Sequence, residues 1–422
     1  MSPVRRLLGN LALAGLSAAV CLGLIEAAAR LYARRLESGP HTTRGSIVRY
    51  HPTLGWDKPP GESAWLSRPE YQVNLAVNAG GLRGPDRPHG KPLGAHRTLL
   101  LGDSFVEGYT VAEEQTVRAL LERRLDEDGC GPHQVLNAGV MGYSTDQEYL
   151  FFQSEGHLYQ PDLVVLFFFY NDLYHNTSPE QGKPYFDLVD GRLELRNSPV
   201  PPPPDGVQVR RPETRVLRLK PWHGSMALRM LSERTAGSPR LRRALAGWGL
   251  VEPDRLQELI PELWPIGTGR RLEVEEMWRR TEAILAALDA EVALSGGRLL
   301  LFYVPDHAEV NDAIWEATRR KYGLGRRGSG FDKVFRRFAD AAGRLGIPMI
   351  APHRSLRDAE ERGESGYFAQ DGHWNATGHA VAAGEIAGFL RESAWATCAP
   401  EQPPLRIDAT VASVSTRQAQ GN

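Results

Sequence analysis

Acyl transfer through a serine requires a nucleophile, a base to take its proton, an acid to hold that base, and donors for the oxyanion. Candidates for these roles follow one another along the chain. Ser104 closes the stretch Leu99-Leu100-Leu101-Gly102-Asp103-Ser104. An apolar run that ends in Gly-Asp-Ser reads as a buried strand and a tight turn, which sets a hydroxyl at the strand's carboxyl end. The backbone N–H of Ser104 and the start of the following helix would face an oxyanion there. Gly142, in Asn137-Ala138-Gly139-Val140-Met141-Gly142, can present a second backbone N–H, and Asn171, in Asn171-Asp172, a side-chain amide. In Asp371-Gly372-His373, His373 is the candidate base and Asp371 its orienter. Each residue has an ordinary reading as well: Ser104 as a helix N-cap, Gly142 as a turn residue, Asn171 as a cap, His373 as a loop histidine.

These residues need elements that bring them to one edge. From Arg97 onward the pattern alternates strands with helices, which implies a parallel sheet covered on both faces. Expected strands are 97–101, one opening at Val135-Leu136, 163–169, 299–304 and 349–350, and expected helices are 116–125, 272–294, 331–345 and one from Asn375 to about Arg391. Thr145 and Glu148 have capping-box spacing for a further helix. The loop holding Asp371 and His373 is placed between the last strand and the last helix, at the edge that carries Ser104.

The rhythm breaks between Tyr174 and Arg271. Leu188 to Leu193 reads as a hairpin with an Asp-Gly turn, and the Pro201 to Pro204 run as a stiff spacer. Between Val207 and Leu245 stand ten Arg or Lys, among them Arg210, Arg211, Arg215 and Arg218, against Glu213 and Glu233. Such a basic insertion beside the substrate edge suits an acidic polysaccharide or anionic lipid headgroups, or is a solvated helical face.

At the N-terminus, Arg5 and Arg6 precede the apolar stretch from Leu7 to Ile25. Residues 7–29 are read as a transmembrane signal-anchor after a cytoplasmic 1–6, with a cleaved signal peptide ending near Ala27-Ala28-Ala29 as the rival. Val20 before Cys21 argues against a lipoprotein. Arg30, Arg34 and Arg35 follow the span, so the positive-inside rule leaves orientation open. The body is placed on the periplasmic or extracytoplasmic side of the cytoplasmic membrane because a single N-terminal span commonly serves export. Residues 30–96, rich in Pro and Gly, are expected to form a stalk with a small β-structure, including one strand over 71–78; 97–395 is the α/β domain with its insertion at 174–271, and 396–422 a disordered tail.

A chain of 422 residues with net charge -1 lacks the basic excess of a nucleic-acid binder. Cys21, Cys130 and Cys398 form no C-x-x-C pair, which excludes a zinc ribbon or thioredoxin-like site. Cys130 and Cys398 could be paired only as an unsupported disulfide. Asp371, His373 and His379 have metal-ligand types, but Asn375 reads as an N-cap that puts His379 on the first turn of a helix, as a packing or surface residue.

Taken together, Gly102-Asp103-Ser104, Gly142, Asn171 and Asp371 with His373 resemble the SGNH (GDSL) hydrolase superfamily, from about Arg97 to Ser393 outside the insertion. The resemblance implies a flavodoxin-like three-layer α/β/α fold and ester chemistry through an acyl-serine, with no metal or cofactor. Phe105 stands where many members have Leu, and the acid lies two rather than three residues before the histidine. Asp371-Gly372-His373-Trp374 is similar to a form found in alginate O-acetyltransferase-like members. The expected function is a serine esterase acting on O-acyl, chiefly acetyl, esters of an extracytoplasmic glycan or lipid. The alternatives are an O-acyltransferase to a cell-surface polysaccharide and a non-catalytic glycan-binding protein.

Overall fold

The computed structural model describes residues 3–37, 47–128, 132–178, 182–202, 225, 227, 259–325, 330–393 and 395. The basic residues from Arg210 to Arg243, Cys130, Cys398 and the segment 396–422 lie outside the described residues. The chain opens on one long helix, α1 (Pro3–Glu37), and two short antiparallel pairs. These are β1 (Arg49–His51) with β2 (Gly55–Asp57), and β3 (Ser63–Ser67) with β4 (Gln72–Ala76). Next come β5 (His96–Leu101), the single turn α2 (Ser104–Glu107), α3 (Val117–Glu127), β6 (His133–Asn137), α4 (Thr145–Ser154), β7 (Leu163–Phe168) and a second single turn, α5 (Asp172–His175). The hairpin β8 (Tyr185–Val189) and β9 (Arg192–Arg196) precedes α6 (Arg271–Leu294), β10 (Arg298–Tyr303), α7 (His307–Val310), α8 (Asp312–Tyr322), α9 (Phe331–Leu345), β11 (Met349–Ile350), α10 (His353–Glu361) and α11 (Ala376–Glu392).

The expected parallel sheet is present, in the order β6-β5-β7-β10-β11. Side chains alternate across a strand, so each run feeds two cores. Leu99, Leu101, Val164, Leu166 and Phe168 pack with α4, α6 and α9 on one face. Leu100, Val165 and Phe167 pack with α2, α3, α10 and α11 on the other. The result is a three-layer α/β/α fold. Counting only the five parallel strands, the order is the flavodoxin-like 2-1-3-4-5, whose ligand crevice lies where the chain reverses, between β5 and β7 at their carboxyl ends. Ser104 follows β5 and Asn171 follows β7, so the topology sets both at that crevice.

Several local expectations change. Thr145 is the first residue of α4 rather than its cap; Ser144 precedes it, and its hydroxyl donates to Asp146 Oδ1 at 2.8 Å. The capping box is therefore absent, and Glu148 is buried at 1% exposure instead of reaching back to the helix start. α10 intervenes between β11 and the Asp371 loop, so that loop joins two helices rather than a strand and a helix. The Asp-Gly hairpin forms as expected, with Asp190 at φ 49° and Gly191 at φ 76°, the paired left-handed conformation of a two-residue turn.

In α1 the stretch long and apolar enough to cross a membrane is Leu13–Leu31, with mean hydropathy 1.5 and none of it buried. It ends later than the expected run and takes in Glu26 and Arg30, which pair at 2.7 Å.

The described residues of the expected stalk, 47–95, do not stand apart from the sheet. Arg83 N–H donates to Asn137 O at 3.2 Å, an isolated bridge at the last residue of the edge strand β6. The Arg83 guanidinium donates to Glu107 O and Val111 O, each at 2.7 Å. Lys58, 1% exposed, donates to Gly139 O at 2.6 Å, and Trp56 Nε1 to Met141 O at 3.0 Å. The segment expected as a stalk with a small β-structure forms two short antiparallel pairs, and buried cations and an indole fasten it to the loops that follow β5 and β6.

Candidate active site

Three of the five candidate residues follow three neighbouring strands. The β5–β6 pairing continues past the strands: Ala138 N–H donates to Leu100 O at 3.0 Å and Val140 N–H to Gly102 O at 3.1 Å. This fixes the Gly142 loop against the Gly102-Asp103-Ser104 turn. A Cβ at Gly102 would lie 2.4 Å from Val106 Cγ2, so only glycine lets α2 fold back so closely. Gly142 has φ +76° in a turn closed by Tyr143 N–H to Val140 O at 3.0 Å, the third position of a type II turn.

Asp103, not Ser104, caps α2, its Oδ1 accepting from Phe105 N–H at 2.9 Å. Ser104 is the first helical residue, with an N–H that has no intrahelical acceptor. α2 is a single turn, so its macrodipole adds little to that N–H. Burial raises the Asp103 carboxyl to about 6, opposed by the Phe105 N–H bond and the nearby His373. Asn171 heads α5 by position, but its side chain makes no capping bond.

The 2.8 Å contact between Ser104 Oγ and His373 Nε2 joins residues 269 positions apart. On the other side of the ring, His373 Nδ1 lies 2.6 Å from Asp371 Oδ1. With Nδ1–H donating to the carboxylate, Nε2 is the acceptor for the serine hydroxyl, an assignment made from the network. The shorter Asp-x-His spacing therefore reaches. The loop is closed by the Tyr367↔Trp374 bridge and by Gly372 N–H to Phe368 O at 3.0 Å, with Gly372 at φ +81°. Thr110 Oγ1 donates to Trp374 O at 2.8 Å, tying the loop to the segment after α2.

Residues that sequence reasoning missed surround the acid. Tyr71 OH donates to Asp371 Oδ2 at 2.9 Å, and Tyr109 OH lies 3.2 Å from Asp371 Oδ1 and 3.1 Å from His373 Nδ1. Burial pushes the Asp371 carboxyl up, but bonds from His373, Tyr71 and Tyr109 outweigh it and leave the group below its ordinary value. Tyr71 had a signal only as the first residue of an expected strand.

His379 is 1% exposed, which removes the surface reading. Its ring meets Trp374 edge-on at 5.8 Å, and burial lowers its pKa to about 3. Among the described residues no group of His, Cys, Asp or Glu is arranged to hold a metal ion.

No curated protein matches the chain. Solved structures similar to it include TesA (12% identity, 70% of this chain and 99% of that one, TM-score 0.37). An acetyl xylan esterase, AlAXEase, is 11% identical over 69% of this chain and 98% of its own, with TM-score 0.35. The psychrotrophic esterase EstA from Pseudoalteromonas sp. is 10% identical over 71% and 98%, also with TM-score 0.35. The family match is independent of these: residues 100–381, which hold Ser104, Gly142, Asn171, Asp371 and His373, match the model of the GDSL-like lipase/acylhydrolase family. The chain belongs to that family of ester hydrolases.

Proposed function

We propose that Ser104 is the nucleophile of this esterase, with His373 as general base and Asp371 as the acid that orients it. The observation that carries the reading is the unbroken line from Asp371 Oδ1 through His373 to Ser104 Oγ, at 2.6 and 2.8 Å. In the acylation step the serine oxygen attacks the ester carbonyl while His373 Nε2 takes its proton. The carbonyl oxygen becomes an oxyanion, and donors fixed before the reaction stabilise it. The Ser104 N–H, the Gly142 N–H and the Asn171 amide serve as those donors. Collapse of the intermediate expels the alcohol, protonated by His373; the same base then activates the water that releases the acid.

The substrate we assign is an O-acyl ester, chiefly acetyl, of an extracytoplasmic glycan or lipid. The span Leu13–Leu31 supports this placement: α1 is taken as a single-pass anchor that holds the enzyme at the outer face of the cytoplasmic membrane. Hydrolysis is the reading over transfer to a polysaccharide hydroxyl. Trp374 of the Asp-x-His-Trp form is fully buried against Phe105 and Phe302, so it packs the core and offers nothing to an acceptor sugar.

The test is labelling of the full-length chain with a fluorophosphonate, alongside turnover of nitrophenyl acetate with and without glycan acceptors. One label on Ser104 and release of free acetate are expected. No label, or acetate that moves to glycan faster than to water, refutes this reading. Membrane fractions that retain the intact N-terminus would support the anchor, and a soluble product cut near Ala27-Ala28-Ala29 would replace it with a signal peptide.

A further inference from the structure

Residues 70 and 71 precede the span 100–381 that matches the family, yet they touch the triad. They sit at the tip of the β3–β4 hairpin, where Arg68 N–H donates to Tyr71 O at 2.8 Å and closes the turn. From there Tyr71 OH reaches Asp371 Oδ2 at 2.9 Å. Glu70 accepts from the backbone N–H groups of Gln370 at 3.0 Å and Asp371 at 2.9 Å. One residue of the tip thus holds the acid's side chain, and its neighbour holds the acid's backbone.

The need for both follows from the short Asp-x-His spacing. Asp371 and His373 share one loop, so the 2.6 Å bond between them depends on the conformation of a few backbone dihedrals and on the rotation of one carboxylate. A carboxylate bonded through one oxygen only can swing about its last torsion. A donor on Oδ2 stops that rotation, and a carboxylate on two successive N–H groups stops the loop from turning away. Tyr71 is itself held in place. Its ring packs against Tyr109 at 6.0 Å and Phe368 at 5.2 Å, in a small apolar cluster with Leu66, Val73 and Leu75.

We propose that Tyr71, supported by Glu70, is a positioning residue that fixes the Asp371 carboxylate for His373, so that the segment ahead of the family domain completes its active site. The inference rests on the Ser104–His373–Asp371 reading above. It also gives residues 47–95 a purpose beyond spacing the body from α1, since a stalk requires no buried hydroxyl on the triad.

The test is a double-mutant cycle on the full-length chain with nitrophenyl acetate, using Tyr71→Phe, Asp371→Ala and the two combined. The Phe variant keeps the ring packing and loses only the hydroxyl. Tyr71→Phe should lower kcat about tenfold, the worth of one bond to a charged group, with KM changed by less than about twofold. In the Asp371→Ala background the same change should cost almost nothing, because the group it acts through is gone. Glu70 acts through backbone N–H groups that Asp371→Ala keeps, so Glu70→Ala is read in the Asp371 background alone: it should lower kcat with KM little changed, and Glu70→Gln should recover part of the loss, since an amide oxygen still accepts. Equal losses in both backgrounds, a loss carried by KM, or no loss at all would overturn the proposal. Full activity in Ser104→Ala or Asp371→Ala would instead show that the triad reading itself had failed.

Discussion

The parallel sheet and the segment 47–95 meet at the same site but are built differently. The sheet places Ser104, Gly142 and Asn171 by backbone alone: adjacent parallel strands end at one edge, and the residues after them have nowhere else to go. The segment has only short strands and places its side chains through single long-range contacts: Lys58 on Gly139, Trp56 on Met141, Tyr71 on Asp371. One region places Ser104, Gly142 and Asn171, and the other holds the loops after β5 and β6 and the loop that carries Asp371. The difference predicts different failures. Damage to the sheet-end residues should cost turnover in a folded protein, whereas damage to the segment should cost the stability of the loops or the alignment of the acid.

The largest expected effect is at the sheet edge. Ser104→Ala should lower ester turnover by about 10⁴-fold or more while the unfolding temperature stays near that of wild type, because triad members act as a unit. Turnover measured beside a thermal melt checks both halves; retained turnover would remove the serine mechanism. In the segment the corresponding test is Lys58→Met. Burial lowers the Lys58 pKa while Glu107 and Asp57 support its charge, and the Glu107 carboxyl, itself raised by burial, relies on Lys58 and Arg83. Lys58→Met leaves Gly139 O without its donor and takes a supporting charge from Glu107, at a cost of about 3 kcal/mol. Denaturant unfolding should show that loss, and a change under about 1 kcal/mol would mean that the segment only rests on the domain.

The two regions were also unequally legible. Leu99-Leu100-Leu101-Gly102-Asp103-Ser104 carries its structure locally: an apolar run, a glycine forced by Val106, then the hydroxyl. Asp371-Gly372-His373 is equally local, and Asn375 caps α11 as its sequence suggested, with its side chain accepting from Thr377 N–H at 2.9 Å. Tyr71 carries no such signal, because its partner lies 300 residues away and no periodicity links a hairpin tip to a distant loop. β1 and β2 have three residues each, too few for an alternation to stand out. The capping box at Thr145 and Glu148 misled for a related reason. Spacing can propose a cap, but Ser144 took the position and Asp146 took the hydroxyl.

Next in size is Asn171→Ala. Loss of this proposed oxyanion donor should lower kcat by about 10²–10³-fold with little change in KM. Asn171 lies in the crevice between β5 and β7, so the effect should fall on the chemical step and leave stability alone. Steady-state kinetics separates the two; an unchanged kcat would reduce Asn171 to the head of α5 and leave the oxyanion to Ser104 and Gly142.

The smallest effect separates the two ends of α2, where the sheet edge and the segment each hold a buried acid. Glu107 at its carboxyl end has Lys58 and Arg83 from the segment; Asp103 at its amino end has the Phe105 N–H and the nearby His373, and its carboxyl is raised from 3.8 to about 6. The native protein therefore keeps the Asp103 proton across a pH window in which the unfolded chain has released it. Extra protons on the native state mean that stability is greatest below pH 4 for this group and declines as pH rises through about 6, by about 3 kcal/mol in all. Asp103→Asn keeps an oxygen for the Phe105 N–H but cannot titrate. The stability of the variant relative to wild type should therefore climb between pH 4 and pH 7, a trend that subtracts every other titrating group. Denaturant unfolding at a series of pH values reads it directly. A flat difference would mean that Asp103 ionises in the fold as it does in the open chain, its burial offset by the Phe105 N–H and His373.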